Sequence, residues 1–337
     1  MKQPLNISIV GGGMSGVATA LALQRYGFNV QIYEQKPALC ALGMGLTLTP
    51  NGLSHLEAIQ PGTVELLKQI GSELHRLILK GQTGETLASK SIDKHNPLLN
   101  IQESRLQAIL ASALPSNAIQ FQHRCVGYEP LDNQVKLFFA NGKTVKTDLL
   151  IGADGINSVV RQNLVGDGFP NFTDHVWWGA VVPFEHQQLS PNTSSLFTGT
   201  DGERFSLFEV GEGYTFWSAS IRSIDDFRNQ GAMSPKSRVL KRFVDWADPV
   251  GAIVAATPEE AILEIPLCDR APLQQWSQGR VTLIGDAAHP ILPALEQGVN
   301  IIFENVNKLT VCLRTASNVE TGLKAYDNRQ IFHCAFH

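Results

Sequence analysis

Three glycines, Gly11, Gly13 and Gly16, stand at the spacing of a loop that lays backbone N–H groups against phosphate, and Glu34 follows about twenty residues later. The chemistry on offer is recognition of a dinucleotide. Gly11 permits a tight turn, Gly13 lets the backbone approach a pyrophosphate, Gly16 lets a helix meet the preceding strand, and Glu34 can accept both hydrogen bonds of a ribose diol. An acid at this place repels a 2'-phosphate, so an adenosine ribose without one is expected. The motif alone does not separate FAD from NAD.

Two further acids sit where apolar runs end. In "LLIGADGINSVVR", Leu149 to Arg161, Asp154 lies beside Gly155, with Ser158 and Arg161 on the next turn. Two readings stay open for Asp154: it holds a cofactor hydroxyl, or it caps the helix that follows. In "VTLIGDAAHPILPALEQGVNIIFEN", Val281 to Asn305, Asp286 ends another run and a helix is expected to start near Gly298. Main-chain N–H groups at such a start attract negative charge, and the oxygen-rich edge of a reduced flavin suits them.

These groups need strand ends and helix starts to hold them. Ile7 to Val10 is a buried strand; Val17, Ala18, Leu21, Ala22 and Leu23 recur at helical spacing, and "FNVQIYE" is a second strand, which closes a βαβ unit. Leu106 to Leu114 is a helix, and Gln134 to Phe139 runs to a hairpin at Asn141-Gly142. From about Asn171 to Leu267 the pattern changes to short aromatic runs, "VWWGAVVPF", "FSLFEV" and "YTFWSAS", broken by Gly- and Pro-containing turns. That is a β-sheet domain inserted into an α/β part. Arg204, Phe208, Tyr214, Phe216 and Trp217 are candidates, on alternation alone, to face a substrate cavity; ordinary sheet packing explains the aromatics equally well. "SPKSRVLKRFVDWA" returns to helical spacing, and Gly279 to Ile284 to a buried strand, so both ends of the chain complete the α/β domain.

Composition narrows the partners. The chain has 337 residues, 43% of them hydrophobic, enough for about two domains. Lys plus Arg number 27 against 31 Asp plus Glu, a net charge of -4 with no basic footprint for nucleic acid. Five widely spaced cysteines without a C-x-x-C pair read as reduced thiols of a cytoplasmic protein, and no metal-ligand cluster is expected. No apolar run reaches the roughly 20 residues that span a bilayer, and residues 1–4 lack the order of a signal peptide.

Together, and in this order, the three acidic segments resemble the class A flavoprotein monooxygenases, the FAD-dependent aromatic hydroxylases that include salicylate hydroxylase-like and zeaxanthin epoxidase-like enzymes. The resemblance covers nearly the whole chain, "GMGLTLTPNGLSHL" included. It implies an α/β, Rossmann-like FAD-binding domain with an inserted β-sheet substrate domain, p-hydroxybenzoate hydroxylase-like. The expected division is 1–72, 98–170 and 275–337 for FAD, and 73–97 and 171–274 for the substrate. For the cofactor it implies Gly11, Gly13, Met14, Ser15 and Gly16 at the pyrophosphate, Glu34 and Gln35 at the adenosine, and contributions from Gly45 and Arg105. Asp154 and Gly155 fall in the segment tied to FAD and to passing NADH or NADPH. Asp286 is expected at the ribityl and pyrophosphate region, with Pro293, Gly298, Val299 and Asn300 near the flavin ring. The implied reaction takes electrons from NAD(P)H and, through a flavin hydroperoxide, puts one atom of O₂ on an aromatic or conjugated small molecule. His289, within the same Gly-Asp-Ala-x-His pattern, is read as a hydrogen-bonded structural histidine, since the chemistry rests in the flavin.

Departures from the family pattern motivate an alternative. Glu103 stands where many relatives have a cofactor-contacting arginine, with Arg105 as a neighbouring substitute; Glu296 and Asn305 replace a common Gly and Asp. "AYDNRQIFHCAFH" resembles a helix that relatives follow with more, so a C-terminally shortened chain is expected. The alternative is an FAD-binding protein without turnover, or an FAD-dependent reductase on the same scaffold.

Overall fold

The computed structural model describes residues 5–40, 43–93, 95–222, 233–291 and 298–334. Its first sheet has six strands in the order β18 (Ser277–Gln278), β19 (Val281–Leu283), β12 (Leu149–Gly152), β1 (Asn6–Val10), β2 (Asn29–Tyr33) and β8 (Ile119–Gln120). β1 runs parallel to β2 and β12, and β12 parallel to β19. Chain from both ends therefore lies in one sheet, as the sequence predicts. The central strands are apolar because both sheet faces are covered.

Helix α1 (Met14–Gln24) covers one face and is buried on all sides but its last residue. It lies against the sheet and the long Gly298–Thr315 helix. α2 (Pro50–Ile59) begins with Pro50 in the first turn and Thr49 as its cap, whose Oγ1 accepts from Gly52 N at 3.1 Å. α3 (Thr63–Ile70) follows directly, and α4 (Glu103–Ser112) leaves the end of β7 (Leu98–Gln102). β7 is the middle of a small antiparallel sheet between β3 (Gly45–Leu48) and β4 (Ser72–Leu74). A further antiparallel sheet joins β9 (Cys125–Pro130), β10 (Val135–Phe139) and β11 (Thr144–Thr147), its last turn at the expected Asn141-Gly142, where Gly142 has φ +81°.

The aromatic runs form a seven-stranded sheet. Its order is β17 (Leu263–Asp269), β13 (Asn171–Pro183), β16 (Tyr214–Arg222), β15 (Arg204–Gly211), β14 (Thr193–Thr198), β5 (Arg76–Gly81) and β6 (Thr86–Ser91). Alternation splits its residues between two faces. Val176, Trp178, Phe205, Trp217 and Ala219 pack on helices Pro235–Phe243 and Val250–Ala256. Trp177, Phe208 and Phe216 face the other way, toward Met44 and the small sheet of β3, β7 and β4. α5 (Val159–Val165) leaves β12, with the Ser158 hydroxyl accepting from Arg161 N at 2.8 Å and Gly166 in the left-handed region ending it.

Candidate functional site

The carboxyl ends of β1, β12 and β19 meet at one cleft of about 640 Å³, walled on its far side by Trp177 and Phe216 of the seven-stranded sheet. Position at strand ends is what an open α/β sheet offers a ligand.

Each glycine of the first turn does a different job. Gly11, at φ +108°, crosses against β12, where a Cβ would stand 2.3 Å from Ala153 O. A Cβ on Gly16 would stand 2.0 Å from Gly11 O, so this glycine seats α1 on the turn and does not line the cleft. Gly13 has open space around its missing Cβ and faces the cleft at the start of α1. No side chain caps that helix start and no acid stands in its first turn. Met14 and Ser15 line the cleft just behind it. Glu34 reaches across: Oε2 accepts from Gly12 N at 2.6 Å and Oε1 from Lys36 N at 2.8 Å. An ionised carboxylate retains lone pairs beyond those two bonds. Gln35 lines the same end, beside Arg124.

At the other acidic turn, Asp154 caps the helix that follows. Its Oδ1 accepts from Ser158 Oγ at 2.5 Å, and its Oδ2 from Val159 N at 2.7 Å and Val160 N at 3.2 Å. The carboxylate caps α5 and also lines the cleft. Burial raises its pKa, against the lowering by these bonds. Gly155, at φ +75° with free space around it, presents backbone to the cleft instead.

Asp286 is the opposite case. It opens to the cleft and has no hydrogen bond or ion pair with any described residue. Its surface is open to the cleft, but the protein crowded around it partly desolvates the carboxyl and pushes it up to about 6. Its turn is clamped from behind. Arg161, fully buried, donates from Nη1 to Ala288 O at 2.9 Å and Ala287 O at 3.3 Å, and from Nη2 to Ala271 O at 2.9 Å. Arg161 also pairs with Asp167, whose other oxygen takes Arg270 Nη1 at 2.9 Å. Sequence reading placed Arg161 one turn after Asp154 and gave it no role. Gly285, at φ +62°, lies against Ser15, where a Cβ would stand 2.1 Å from Oγ. The two glycine-rich turns therefore touch.

Other expected residues are placed differently. Arg105 turns away from the cleft: it pairs with Glu212, lies over the Tyr214 ring at 5.9 Å, and reaches Gln102. Glu103 does line the cleft, with Gln107, whose Nε2 donates to Gly12 O at 3.2 Å. Asn300 is also spent inside the protein. Its Oδ1 accepts from Thr49 N at 2.9 Å and its Nδ2 donates to Thr47 O at 3.0 Å, so it tethers the Gly298–Thr315 helix to the β3–α2 junction. Gly298 and Val299 line the cleft; Pro293 and Glu296 lie outside the described residues. Gly45 lines it too, and a Cβ there would meet the Phe216 ring at 2.5 Å. His289 is structural: it stacks on Trp276 at 4.7 Å, and its Nε2 accepts from Asn305 Nδ2 at 2.7 Å.

Among the substrate candidates, Phe216 lines the cleft. Trp217 is a correction. It lies on the opposite face, stacked on Phe205 at 5.4 Å, with Nε1 donating to Thr257 Oγ1 at 2.9 Å. Phe208 is buried behind Phe216 at 5.1 Å, and Tyr214 lies under Arg105, so neither reaches the cleft. Arg204 lines a second, adjoining cleft. Trp177 and Ser218, which the sequence reading did not propose, line both.

An uncapped helix start without a Cβ suits a pyrophosphate, and an unpartnered carboxylate beside it suits a polyol. The residues fit a long, two-ended dinucleotide, and the aromatic wall gives one end an apolar surface. Residues 5–331 match the FAD binding domain family. The 6-hydroxynicotinate 3-monooxygenase of Bordetella bronchiseptica is 31% identical over 321 residues, covering 92% of this chain and 83% of that protein. The aurachin C monooxygenase/isomerase of Stigmatella aurantiaca is 29% identical over 333 residues, covering 97% and 85%. A crystal structure of Klebsiella pneumoniae HpxO with FAD and uric acid shares the fold, with a TM-score of 0.88 at 24% identity, covering 97% of this chain and 84% of that one. A glycine turn on a mainly parallel sheet faces a mainly antiparallel sheet across one cleft, and with the family match this makes the chain a flavin-dependent oxidoreductase. The chain belongs to the FAD binding domain family, as a class A FAD-dependent monooxygenase. FAD is its cofactor.

Proposed function

We propose that the enzyme hydroxylates or epoxidises an aromatic or conjugated small molecule with O₂ and NADH or NADPH, at the end of the cleft between Asp286 and the Phe216–Trp177 wall. The observation that carries this is the cleft itself: one continuous space bounded by polar strand ends on one side and by aromatic rings of the second sheet on the other. The relatives named above act, by their names, on a hydroxynicotinate and on aurachin C, which supports a ring-bearing substrate.

FAD supplies the redox and O₂ chemistry when bound. The chain's part is placement. Gly11 to Gly13 and the α1 start would hold the pyrophosphate, Glu34 the adenosine ribose, and Asp286 the ribityl hydroxyls. Gly155 and Gly298 would present backbone to the cofactor without a side chain in the way, with Val299 lining the same space. Trp177 and Phe216 would keep water from the reacting end and stack on the substrate ring. Asp154 and Asn300 would act as positioning residues, fixing α5 and the Gly298–Thr315 helix.

We also propose that 1–72, 98–170 and 275–337 form the FAD-binding domain and 73–97 and 171–274 the substrate domain; the pairing of β5 with β14 supports this division. The free thiols of Cys125, Cys268 and Cys312 support a reducing compartment such as the cytoplasm. Among the described residues, no helix is long and apolar enough to cross a membrane.

The test is to supply FAD-loaded protein with NADH or NADPH, isotopically labelled O₂ and a panel of phenols, hydroxypyridines and polyenes. One labelled oxygen atom in an organic product is expected. Nucleotide oxidation across the whole panel without labelled product would overturn the reading.

A further inference from the structure

A second cleft, of about 380 Å³, adjoins the first along the inward face of the seven-stranded sheet, and Trp177 and Ser218 form the shared wall. The indole of Trp177 lies flat across the sheet because position 179 is glycine: a Cβ there would stand 2.3 Å from its Cη2. Beyond this wall the lining changes character. It holds Arg204, Lys90 and five serines, and no Asp or Glu. In a chain of net charge -4 that is a local reversal of sign.

Register fixes the layout. Arg204 lies opposite Ser220 and Ser206 opposite Ser218, the latter pair joined Oγ to Oγ at 3.0 Å. Arg204 is exposed, and its guanidinium makes no hydrogen bond or ion pair with any described residue. Its neighbours in the same unit differ: Arg238 pairs with Glu264 and Arg242 with Glu203. Phe216, in the main cleft, and Ser220, facing Arg204, lie four residues apart on one strand face, roughly 13 Å at about 3.3 Å per residue. A carboxylate attached directly to a single ring does not span that distance.

We propose that the second cleft is an anion-binding extension of the substrate site, and that the substrate is elongated, with an aromatic or conjugated end at Phe216 and Trp177 and a carboxylate or comparable anion at Arg204. This rests on the reading of the main cleft as the place where the substrate ring sits. Arg204 provides a planar fork of donors for the anion, the serine hydroxyls complete its hydrogen bonding, and Lys90 adds charge.

The test uses the full, FAD-loaded chain and the visible difference spectrum of its bound flavin, which reads binding without turnover. The probes are para-hydroxybenzoate, ω-(para-hydroxyphenyl)octanoate, and the primary amide of each. In the wild type the long carboxylate is expected to bind about tenfold tighter than its amide, the size of one charge-assisted hydrogen bond. The compact pair should show no such preference. Arg204→Met should abolish the preference and Arg204→Lys retain part of it; NADH affinity should be unchanged in both. Equal binding of long carboxylate and amide, no binding of the long probes at millimolar concentration, or an undiminished preference in Arg204→Met overturns the proposal. So does a loss confined to NADH. Charge-selective binding without any oxygenated product would leave the proposal standing and count against the proposed reaction instead.

Discussion

Replacing Arg161 by Met removes the clamp behind the Asp286 turn while keeping most of the side chain's length. Three backbone carbonyls, those of Ala271, Ala287 and Ala288, lose their donor inside the protein, and Asp167 loses one of two cationic partners. A buried acceptor left bare costs about 1–3 kcal/mol, part of which water recovers where the turn opens. Arg270 still holds Asp167, so the charge is not stranded. The expected loss is about 2–4 kcal/mol, set by the carbonyls left without a donor inside the protein, since the pair with the exposed Asp167 adds little. Urea unfolding of the FAD-free protein measures it, and flavin fluorescence titration should show FAD binding about tenfold weaker, on the order of 1.4 kcal/mol, as the Asp286 turn loosens. pH adds a signature. Burial opposes ionisation of Asp167, but Arg161 and Arg270 outweigh it and hold the carboxyl below its usual value. A depressed folded-state pKa means stability present above the unfolded pKa of about 3.9 and lost as pH falls through the folded value. Arg161→Met should therefore flatten the acid limb below about pH 4. A urea midpoint within about 1 kcal/mol of wild type, with unchanged FAD affinity, would refute the assignment of Arg161 as the clamp.

Three further outcomes are expected. Gly16→Ala should destabilise the FAD-free protein, because its Cβ meets Gly11 O, whereas Gly13→Ala, with open space for its Cβ, should cost no more than about 1 kcal/mol of unfolding free energy as a poorer helix cap and weaken FAD binding. Asp286 has a raised folded-state pKa of about 6, so the stability it permits is full below pH 4 and falls as pH rises through 6. Asp286→Asn should remove that fall in the FAD-free protein, on the order of 1 kcal/mol for a carboxyl that water still reaches, and weaken FAD binding; unfolding at pH 4.5 and 7, roughly bracketing the transition, checks it. Trp217→Ala should cost about 3–5 kcal/mol through its lost packing, while Phe216→Ala should cost less and alter which rings perturb the flavin spectrum.

Much of the fold was legible because its signals are local. The βαβ unit, the Asn141-Gly142 hairpin and the return of the chain's end to the first sheet follow from apolar runs and turn residues. The glycines of the first turn were legible from their spacing alone, although Gly11 answers Ala153 O after β12 and Gly45 and Gly285 answer Phe216 and Ser15, contacts that sequence does not show. Side-chain direction was less so. Trp177 and Trp178 are adjacent, and only the register of β13 between β16 and β17 decides which indole meets the cleft and which the Glu264 carboxylate. Trp217 failed as a substrate contact because alternation gives two faces and does not name the inner one. Arg105 and Asn300 were drawn away by Glu212 and by Thr47 and Thr49, partners far off in sequence. Arg161 left no signal beyond its place after Asp154, since, Asp167 apart, its acceptors are backbone atoms more than a hundred residues away.

The most direct measurement is the visible spectrum of the FAD-reconstituted protein before and after anaerobic addition of NADH or NADPH. The account predicts a bound yellow flavin that bleaches on adding one of the nucleotides and regains its colour when air is admitted. Protein that takes up no FAD, or bound flavin that neither nucleotide reduces with the substrate panel present, would contradict it.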